Sequence, residues 1–305
     1  MEDTILVPRF DESHGRPTLK LFNDNFINSI KFKNLPKKYE LIGKGSYSRI
    51  IISEEIGNDK VIKCIRKSSV QSNNRKYLIN EIKIMKQINN NNDLIVKMFD
   101  LFQSEESFNI LLERGIMDLF AFSKNKQYSK KICNFILRDL SISIEYIHSM
   151  SIYHRDIKSE NILIFNENEE NYQFKLSDFG ISIVDNEYGI GKCGSIGFNS
   201  PEMSNKIQFS RKKADYWAFG AVLLEQLLGL DRFVNEWLML YYDRKHKKLS
   251  NLYENALKIF KKEGFDFDWS ILDNLLNIDP IQRNLPNNTK IINNFTNFLI
   301  KNKSI

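Results

Sequence analysis

The pattern of apolar residues changes its period near Glu113 to Gly115, which divides the chain into a β-rich part followed by an α-rich part. Before that point the signals are those of short strands, at Tyr39 to Ile42, Ile50 to Ser53, Val61 to Ile65, Val96 to Gln103 and Phe108 to Glu113, with a turn at Gly57-Asn58-Asp59. One helix interrupts them at Lys76 to Ile88, where Leu78, Ile82, Met85 and Ile88 recur at spacings of three and four. After that point the pattern is mostly helical, at Lys131 to Met150, Ala214 to Leu228, Phe233 to Tyr242, Tyr253 to Lys262, Trp269 to Leu276 and Lys290 to Lys301. The expected class is α+β, a small β-rich lobe with one main helix followed by a larger, mostly α-helical lobe.

Composition supports a folded chain with a sizeable core, because 42% of the 305 residues are hydrophobic and 12% aromatic. The start, Met1-Glu2-Asp3-Thr4, lacks the basic and apolar runs of a secretory signal. The longest apolar stretch, Tyr216 to Leu230, is broken by Glu225 and is shorter than the about 20 residues a membrane span needs. Cys64, Cys133 and Cys193 are far apart and odd in number, which suits a reducing compartment, and none stands at zinc-ligand spacing with a histidine. These features point to an intracellular protein, cytoplasmic or nuclear, not secreted and without a membrane span. The net charge of +6 is spread along the chain, which disfavours nucleic-acid binding. The basic run Arg244 to Lys248 reads as a solvated loop rather than a dock for acidic partners, and Asn89 to Asn92 as loop filler. Residues 1–38 show no clear period and read as an extension in which Lys31, Lys33, Lys37 and Lys38 crowd the end.

Two charged residues in apolar surroundings explain each other. Glu81 projects between Leu78 and Met85 on the apolar face of its helix, where an unpaired carboxylate would cost several kcal/mol. Lys63 lies between Ile62 and Cys64 on a strand and is the attractive partner, since a paired lysine stays protonated and can grip polyphosphate as a point charge. The stretch GKGSYSRII, residues 43 to 51, joins two of the strands and has two of the glycines of a phosphate-cradling loop, with Ser48 at the third position. In YHRDIKSENILI, Tyr153 to Ile164, Asp156 and Lys158 fall on a loop after a helix, and Asn161 precedes a short strand. In KLSDFGIS, Asp178 follows an apolar and polar alternation. Asn161 and Asp178 are oxygen ligands of the sparse kind that Mg2+ takes, which leaves Asp156 as a carboxylate able to accept a proton.

Taken together, these motifs resemble a eukaryotic-type protein kinase of the serine/threonine class from about Tyr39 to Arg283. Gly43, Gly45 and Ile50 are similar to the glycine loop, Lys63 and Glu81 to the strand lysine and its helix partner, and His154-Arg155-Asp156 with Asn161 to the catalytic loop. Asp178-Phe179-Gly180 is similar to the metal-binding motif, Ser200-Pro201-Glu202 to the Ala-Pro-Glu of the family, and Asp215-Tyr216-Trp217 with Gly220 to the start of its buried helix. Arg283, after Asp279-Pro280, stands for the arginine that pairs with the Glu202 carboxylate. The resemblance implies a two-lobed fold whose small lobe carries an antiparallel sheet. It implies an N-terminal extension 1–38, a kinase domain 39–287 (small lobe 39–112, hinge 113–115, large lobe 116–287) and a C-terminal helix or tail 288–305.

It also implies a site. ATP would lie between the lobes, with Gly43, Lys44, Gly45, Ser46, Tyr47 and Ser48 over its phosphates and adenine between Ile42, Ile50 and Val61 above and Leu163 below. Leu112 would be the gatekeeper, and Glu113 to Gly115 the hinge. Lys63 would hold the α- and β-phosphates, Asn161 and Asp178 would hold Mg2+, and Asp156 would take the proton of a Ser or Thr hydroxyl on a protein substrate. Lys158 would neutralise charge on the moving phosphoryl group, and Ser195, after Gly194, would bond Asp156 and Lys158. Ser48 implies weakened but real ATP binding. The alternative is a pseudokinase or scaffold that binds nucleotide without efficient transfer; a small-molecule phosphotransferase is disfavoured because Ser200-Pro201-Glu202, Gly194-Ser195 and Asp215 to Gly220 build a peptide platform. In the segment Asp178 to Glu202, the position four before Ser195 is Gly191, so activity is expected not to need phosphorylation there, with Tyr188 and Ser182 as other hydroxyls. Ser46-Tyr47 resembles an inhibitory phosphorylation pair, although Tyr47 reads more simply as the aromatic tip of the loop. A regulatory partner is left unidentified.

Overall fold

Alternation decides the first sheet. Along β3 (Lys60–Arg66), Ile62 and Cys64 enter one apolar cluster while Ile65 enters another, as a period of two requires of a strand covered on both faces. The computed structural model describes residues 24–45, 48–70, 75–88, 92–125, 131–166, 171–191, 193–204, 208–239 and 268–285. The expected helices at Tyr253 to Lys262 and Lys290 to Lys301, the basic run Arg244 to Lys248, the loop tip Ser46-Tyr47 and Asn89 to Asn91 lie outside the described residues.

The chain divides into two units, Met1–Asn89 with Lys97–Arg114, and Asn90–Val96 with Gly115–Ile305. The first holds a helical turn α1 (Asp24–Asn28), strands β1 (Glu40–Lys44), β2 (Ser48–Ile52) and β3, helix α2 (Arg75–Ile88), and strands β4 (Met98–Gln103) and β5 (Ser107–Glu113). The strands form one five-stranded sheet in the order β1-β2-β3-β5-β4, with every neighbour antiparallel. Leu78, Ile82, Met85 and Ile88 of α2 are all buried, as their spacing predicts. The expected strand from Val96 begins two residues later, because Val96 donates its N–H to the Leu176 carbonyl (3.0 Å) within the second unit.

Part of the segment read as an extension packs on this unit. Ile27 and Ile30 are 5% and 6% exposed, in one cluster with Ile65, Leu78, Ile79, Ile82, Phe108 and Ile110. Leu35 packs against Ile51, Ile62, Cys64 and Phe102. Residues 24–35 are thus part of the packing of this unit.

The second unit contains β6 (Met117–Asp118), α3 (Leu119–Asn125), α4 (Lys131–Ser149), β7 (Ile152–Tyr153), β8 (Ile162–Asn166), β9 (Gln173–Leu176), β10 (Ile183–Val184), β11 (Tyr188–Gly189), β12 (Phe209–Ser210), α5 (Arg211–Leu228), α6 (Leu230–Arg232) and α7 (Trp269–Leu275). Helix α5 is its axis: every residue from Ala214 to Leu228 is buried, and it contacts α4 and α7. Ser210 caps it by accepting from the Lys213 N–H (3.1 Å), and Gly229 ends it by donating to the Glu225 carbonyl (2.9 Å). The helix expected over Phe233 to Tyr242 is instead a π-helical stretch, Phe233–Leu238, following α6. Its Phe233 and Trp237 stack, with ring centroids 6.3 Å apart, and Trp237 Nε1 donates to the Gly197 carbonyl (2.8 Å), contacts that decide its path better than local pattern does. Glu225 sits inside α5 at 3% exposure. Burial pushes its carboxyl up to about 7, and its Oε2 has no partner among the described residues. Among the described residues, no helix is long and apolar enough to cross a membrane.

Candidate active site

In the first unit, the middle of β3 and the middle of α2 bring Lys63 and Glu81 together. Lys63 Nζ lies 2.6 Å from Glu81 Oε1, with the two side chains 13% and 5% exposed. Such a short, largely dry contact is a charge-assisted hydrogen bond that fixes the lysine's position. The glycine loop joins β1 to β2, and Ile50, paired with Lys63 on one side, is paired with Gly43 on the other. Gly43 faces Ile50 across a bulge between Leu41 and Gly43, and the Gly45 N–H donates to the Ser48 carbonyl (2.8 Å). Lys44 closes β1, Ile42 is exposed, and Ile50 is half-buried on β2. Val61 and Leu112 are paired across β3 and β5, with Glu113 beyond Leu112.

In the second unit, Gly115 and Leu163 are neighbours. A Cβ at Gly115 would stand 2.9 Å from that of Leu163, so only glycine fits. The loop between β7 and β8 carries the charged cluster. Asp156 Oδ1 accepts from the Ser195 hydroxyl (2.8 Å), its Oδ2 lies 3.2 Å from Lys158 Nζ, and Lys158 Nζ donates to the same Ser195 oxygen (2.8 Å). The three side chains close a triangle. Asn161 Nδ2 donates to the Asp156 carbonyl (2.8 Å) and to its Oδ2 (3.2 Å). That commits the amide nitrogen to Asp156 and leaves its oxygen as the atom able to act as a ligand.

Asp178 follows β9 in a left-handed conformation (φ 61°), and its side chain is exposed. Among the described residues no three His, Cys, Asp or Glu side chains gather as a metal cluster. An ion held by Asn161 and Asp178 alone would need phosphate oxygens and water to complete its shell, which fits Mg2+ better than a cation that demands an all-protein cage.

The bonds that hold this loop come from residues far apart in the chain. Asp215, buried at the start of α5, accepts from the His154 N–H (2.9 Å), the Arg155 N–H (2.8 Å) and His148 Nε2 (2.9 Å). These bonds hold Arg155 in its left-handed conformation (φ 70°), a conformation that costs about 1 kcal/mol or more. His154 is fully buried, with Nε2 donating to the Ser177 carbonyl (3.0 Å) and Nδ1 accepting from the Asp156 N–H (3.3 Å). Asp215 was legible as a motif residue, but an aspartate on an apolar helix does not announce partners 60 residues away in the chain.

The segment after Asp178 is ordered by backbone pairing. Ile183–Val184 pairs with Tyr153 and Ile152, and Tyr188–Gly189 pairs with Ser210 and Phe209. Arg211 adds an ion pair to Asp185 (3.2 Å) and a backbone N–H to the Glu187 carbonyl (2.7 Å). Ser182, one of the other hydroxyls of this segment, is 2% exposed and donates to the His154 carbonyl (3.0 Å), so it is a structural residue; Tyr188 is exposed. Arg155 Nε donates to the Cys193 sulfur (3.0 Å), and burial pushes that thiol's pKa up. Below the segment, Arg283 grips Glu202 with both arms of its guanidinium, at 2.5 and 2.8 Å, and lies over Trp217. Ser200, where the family resemblance has alanine, buries a hydroxyl with no partner among the described residues.

The chain is similar in sequence to several protein kinases. The chain is 30% identical over 208 residues to human ribosomal protein S6 kinase alpha-2, covering 64% of this chain and 27% of that protein. It is 29% identical over 252 residues to developmentally-regulated protein kinase 1 of Dictyostelium discoideum, covering 80% and 33%, and 30% identical over 207 residues to a probable myosin light chain kinase of the same organism, covering 65% and 41%. The chain therefore spans well under half the length of these relatives. The family described as protein kinase domain matches residues 37–293, most of the sequence, and the chain belongs to that family.

Proposed function

We propose that the chain is a serine/threonine protein kinase that transfers the γ-phosphoryl group of ATP to Ser or Thr hydroxyls of protein substrates. The observation that carries the reading is the closed triangle of Asp156, Lys158 and Ser195, steadied by Asn161. Asp156 orients the substrate hydroxyl and accepts its proton as the new O–P bond forms and the bond from the γ-phosphorus to the bridging oxygen breaks, with ADP as the leaving group. Lys158 sits beside that carboxylate and offsets negative charge on the phosphoryl group in flight. Ser195 holds both in register and ties them to the segment that receives the substrate peptide.

Lys63, fixed by Glu81, grips the α- and β-phosphates. Gly43 to Gly45 and Ser48 supply the phosphate loop; Ile42, Ile50, Val61, Leu112 and Leu163 supply apolar surface for adenine; the backbone of Glu113 to Gly115 supplies its hydrogen bonds. Mg2+, when bound, neutralises charge across the phosphates, and Asn161 and Asp178 are the residues that hold it. Members that only bind nucleotide usually lose the lysine, the catalytic aspartate or a metal ligand, whereas Lys63, Asp156, Asn161 and Asp178 are all present.

The test uses labelled ATP, Mg2+ and generic protein substrates, with the Asp156→Asn variant alongside. Transfer to Ser or Thr that drops about a thousandfold in the variant supports the reading. ATP binding with no transfer by the unaltered chain would reassign it as a scaffold, and undiminished transfer by the variant would remove Asp156 from its role.

A further inference from the structure

The segment before β1 behaves as a strap across the edge of the sheet. Strand β4 is an edge strand, and the strap pairs with it in parallel at Phe32 and Gln103: the Lys33 N–H donates to the Gln103 carbonyl (2.8 Å) and the Gln103 N–H to the Lys31 carbonyl (2.9 Å). Gln103 Nε2 also donates to the Ile30 carbonyl (2.8 Å). From that crossing the chain reaches both faces. Leu35 packs on the cluster of Ile51, Ile62, Cys64 and Phe102, while Ile27 and Ile30 are buried in the cluster that contains Leu78, Ile79 and Ile82 of α2. Beyond Leu35 the strap is anchored again, with the Lys37 and Lys38 N–H groups donating to Glu55 Oε1 (3.0 and 3.2 Å) and the Ser53 hydroxyl to the Lys38 carbonyl (2.6 Å).

Its position on α2 is what matters. Leu78 and Ile82 are the residues one turn before and one residue after Glu81, so the apolar cluster that Ile27 and Ile30 complete sets the rotation of the turn that presents Glu81 to Lys63. The opposite flank of the strap adds Lys86, whose Nζ lies 4.9 Å from the Phe26 ring centre. Residues 24–36 lie outside the stretch matched by the family, which begins at residue 37.

We infer that Ile27 and Ile30 are positioning residues for phosphoryl transfer: as a strap built into the chain, they hold α2 where Glu81 keeps Lys63 in place. This rests on the reading that Lys63, held by Glu81, grips ATP. The strap acts only through that pair, so its contribution vanishes when the pair is already broken.

The full-length chain tests this with an Ile27→Ala/Ile30→Ala variant, a Glu81→Gln variant and their combination. The double alanine variant is expected to lose about tenfold in kcat/KM for ATP with KM for the protein substrate unchanged, and to cause no further loss in the Glu81→Gln background. A peptide of residues 20–38 added in trans should restore activity to the double alanine variant, while the same peptide with Ile27→Asp and Ile30→Asp should not. An equal loss in both backgrounds, or no loss in either, would overturn the inference. If the alanine variant does not fold, Ile27→Val/Ile30→Val takes its place under the same criterion. A Glu81→Gln variant with undiminished kcat/KM would bring down the role of the Lys63–Glu81 pair itself, and an alanine variant as active as the unaltered chain beside an impaired Glu81→Gln would bring down the strap alone.

Discussion

The two units hold their carboxylates by opposite means. Glu81 is placed by apolar packing: its helix rests on Ile27, Ile30, Ile65, Phe108 and Ile110, and its oxygen meets Lys63. Asp156 is placed by polar bonds, through Ser195, Lys158 and Asn161 to its side chain and through Asp215 to the backbone of His154 and Arg155 just before it. Apolar packing holds a helix through many small contacts whose loss weakens its placement by degrees, whereas a buried hydrogen bond is either made or lost. Placement of Glu81 is therefore graded, and placement of Asp156 close to all or none.

The comparison breaks most visibly at Asp215. Replacing it with Asn puts a donor where three donors converge, and stability should fall by about 4 kcal/mol in denaturant melts, with kcat reduced and KM for ATP little changed. An unchanged melt would mean that the polar setting is not what holds the loop.

Glu225 sharpens the contrast from the same helix, because it is a buried carboxylate with one oxygen that has no partner among the described residues. With its folded pKa raised to about 7 from 4.5, the fold binds its proton more tightly than the unfolded chain does. Stability should therefore fall as pH rises from about 4.5 to 7 and level off above, a loss of about 3 kcal/mol. Glu225→Gln should flatten that slope and melt higher at pH 8; a slope that survives the substitution would assign it elsewhere.

On the apolar side, Glu81→Gln removes the Glu81 carboxylate from Lys63 and should lower kcat/KM for ATP about thirtyfold, near 2 kcal/mol, while α2 stays helical by circular dichroism. The smallest effect belongs to the glycine loop. Ser48→Gly should lower KM for ATP about twofold by relieving the side chain beside the phosphates, and a KM that rises would show that Ser48 helps rather than hinders.

What the sequence disclosed follows from how far each signal reaches. Strands β2, β3 and β5 and helices α2, α4 and α5 are long enough to show a period, and their ends fall within a few residues of expectation. Lys63 and Glu81 were legible as a pair because each is an anomaly in an apolar pattern. Pairs such as Tyr188–Gly189 with Phe209–Ser210 span too few residues to carry a period, and their partner is set by tertiary contact. The strap escaped for a related reason. Phe26, Ile27, Ile30 and Leu35 fit neither a helix nor a strand because the chain passes from a helical turn to an extended crossing among them. Burial was equally hidden at Ser182, whose hydroxyl looks like any other until His154 is seen to receive it.

Gly191 has a backbone φ of +98° with open space around it. A threonine arising there by mutation would meet no clash, yet it would begin in a conformation that L side chains avoid, at a cost of about 1 to 2 kcal/mol before any modifying enzyme arrived. The segment's order already comes from β11, β12 and Arg211, so that mutation would offer no immediate advantage to offset its strain. An evolutionary path toward phosphate control at this position would have to reshape the backbone first and acquire the hydroxyl second.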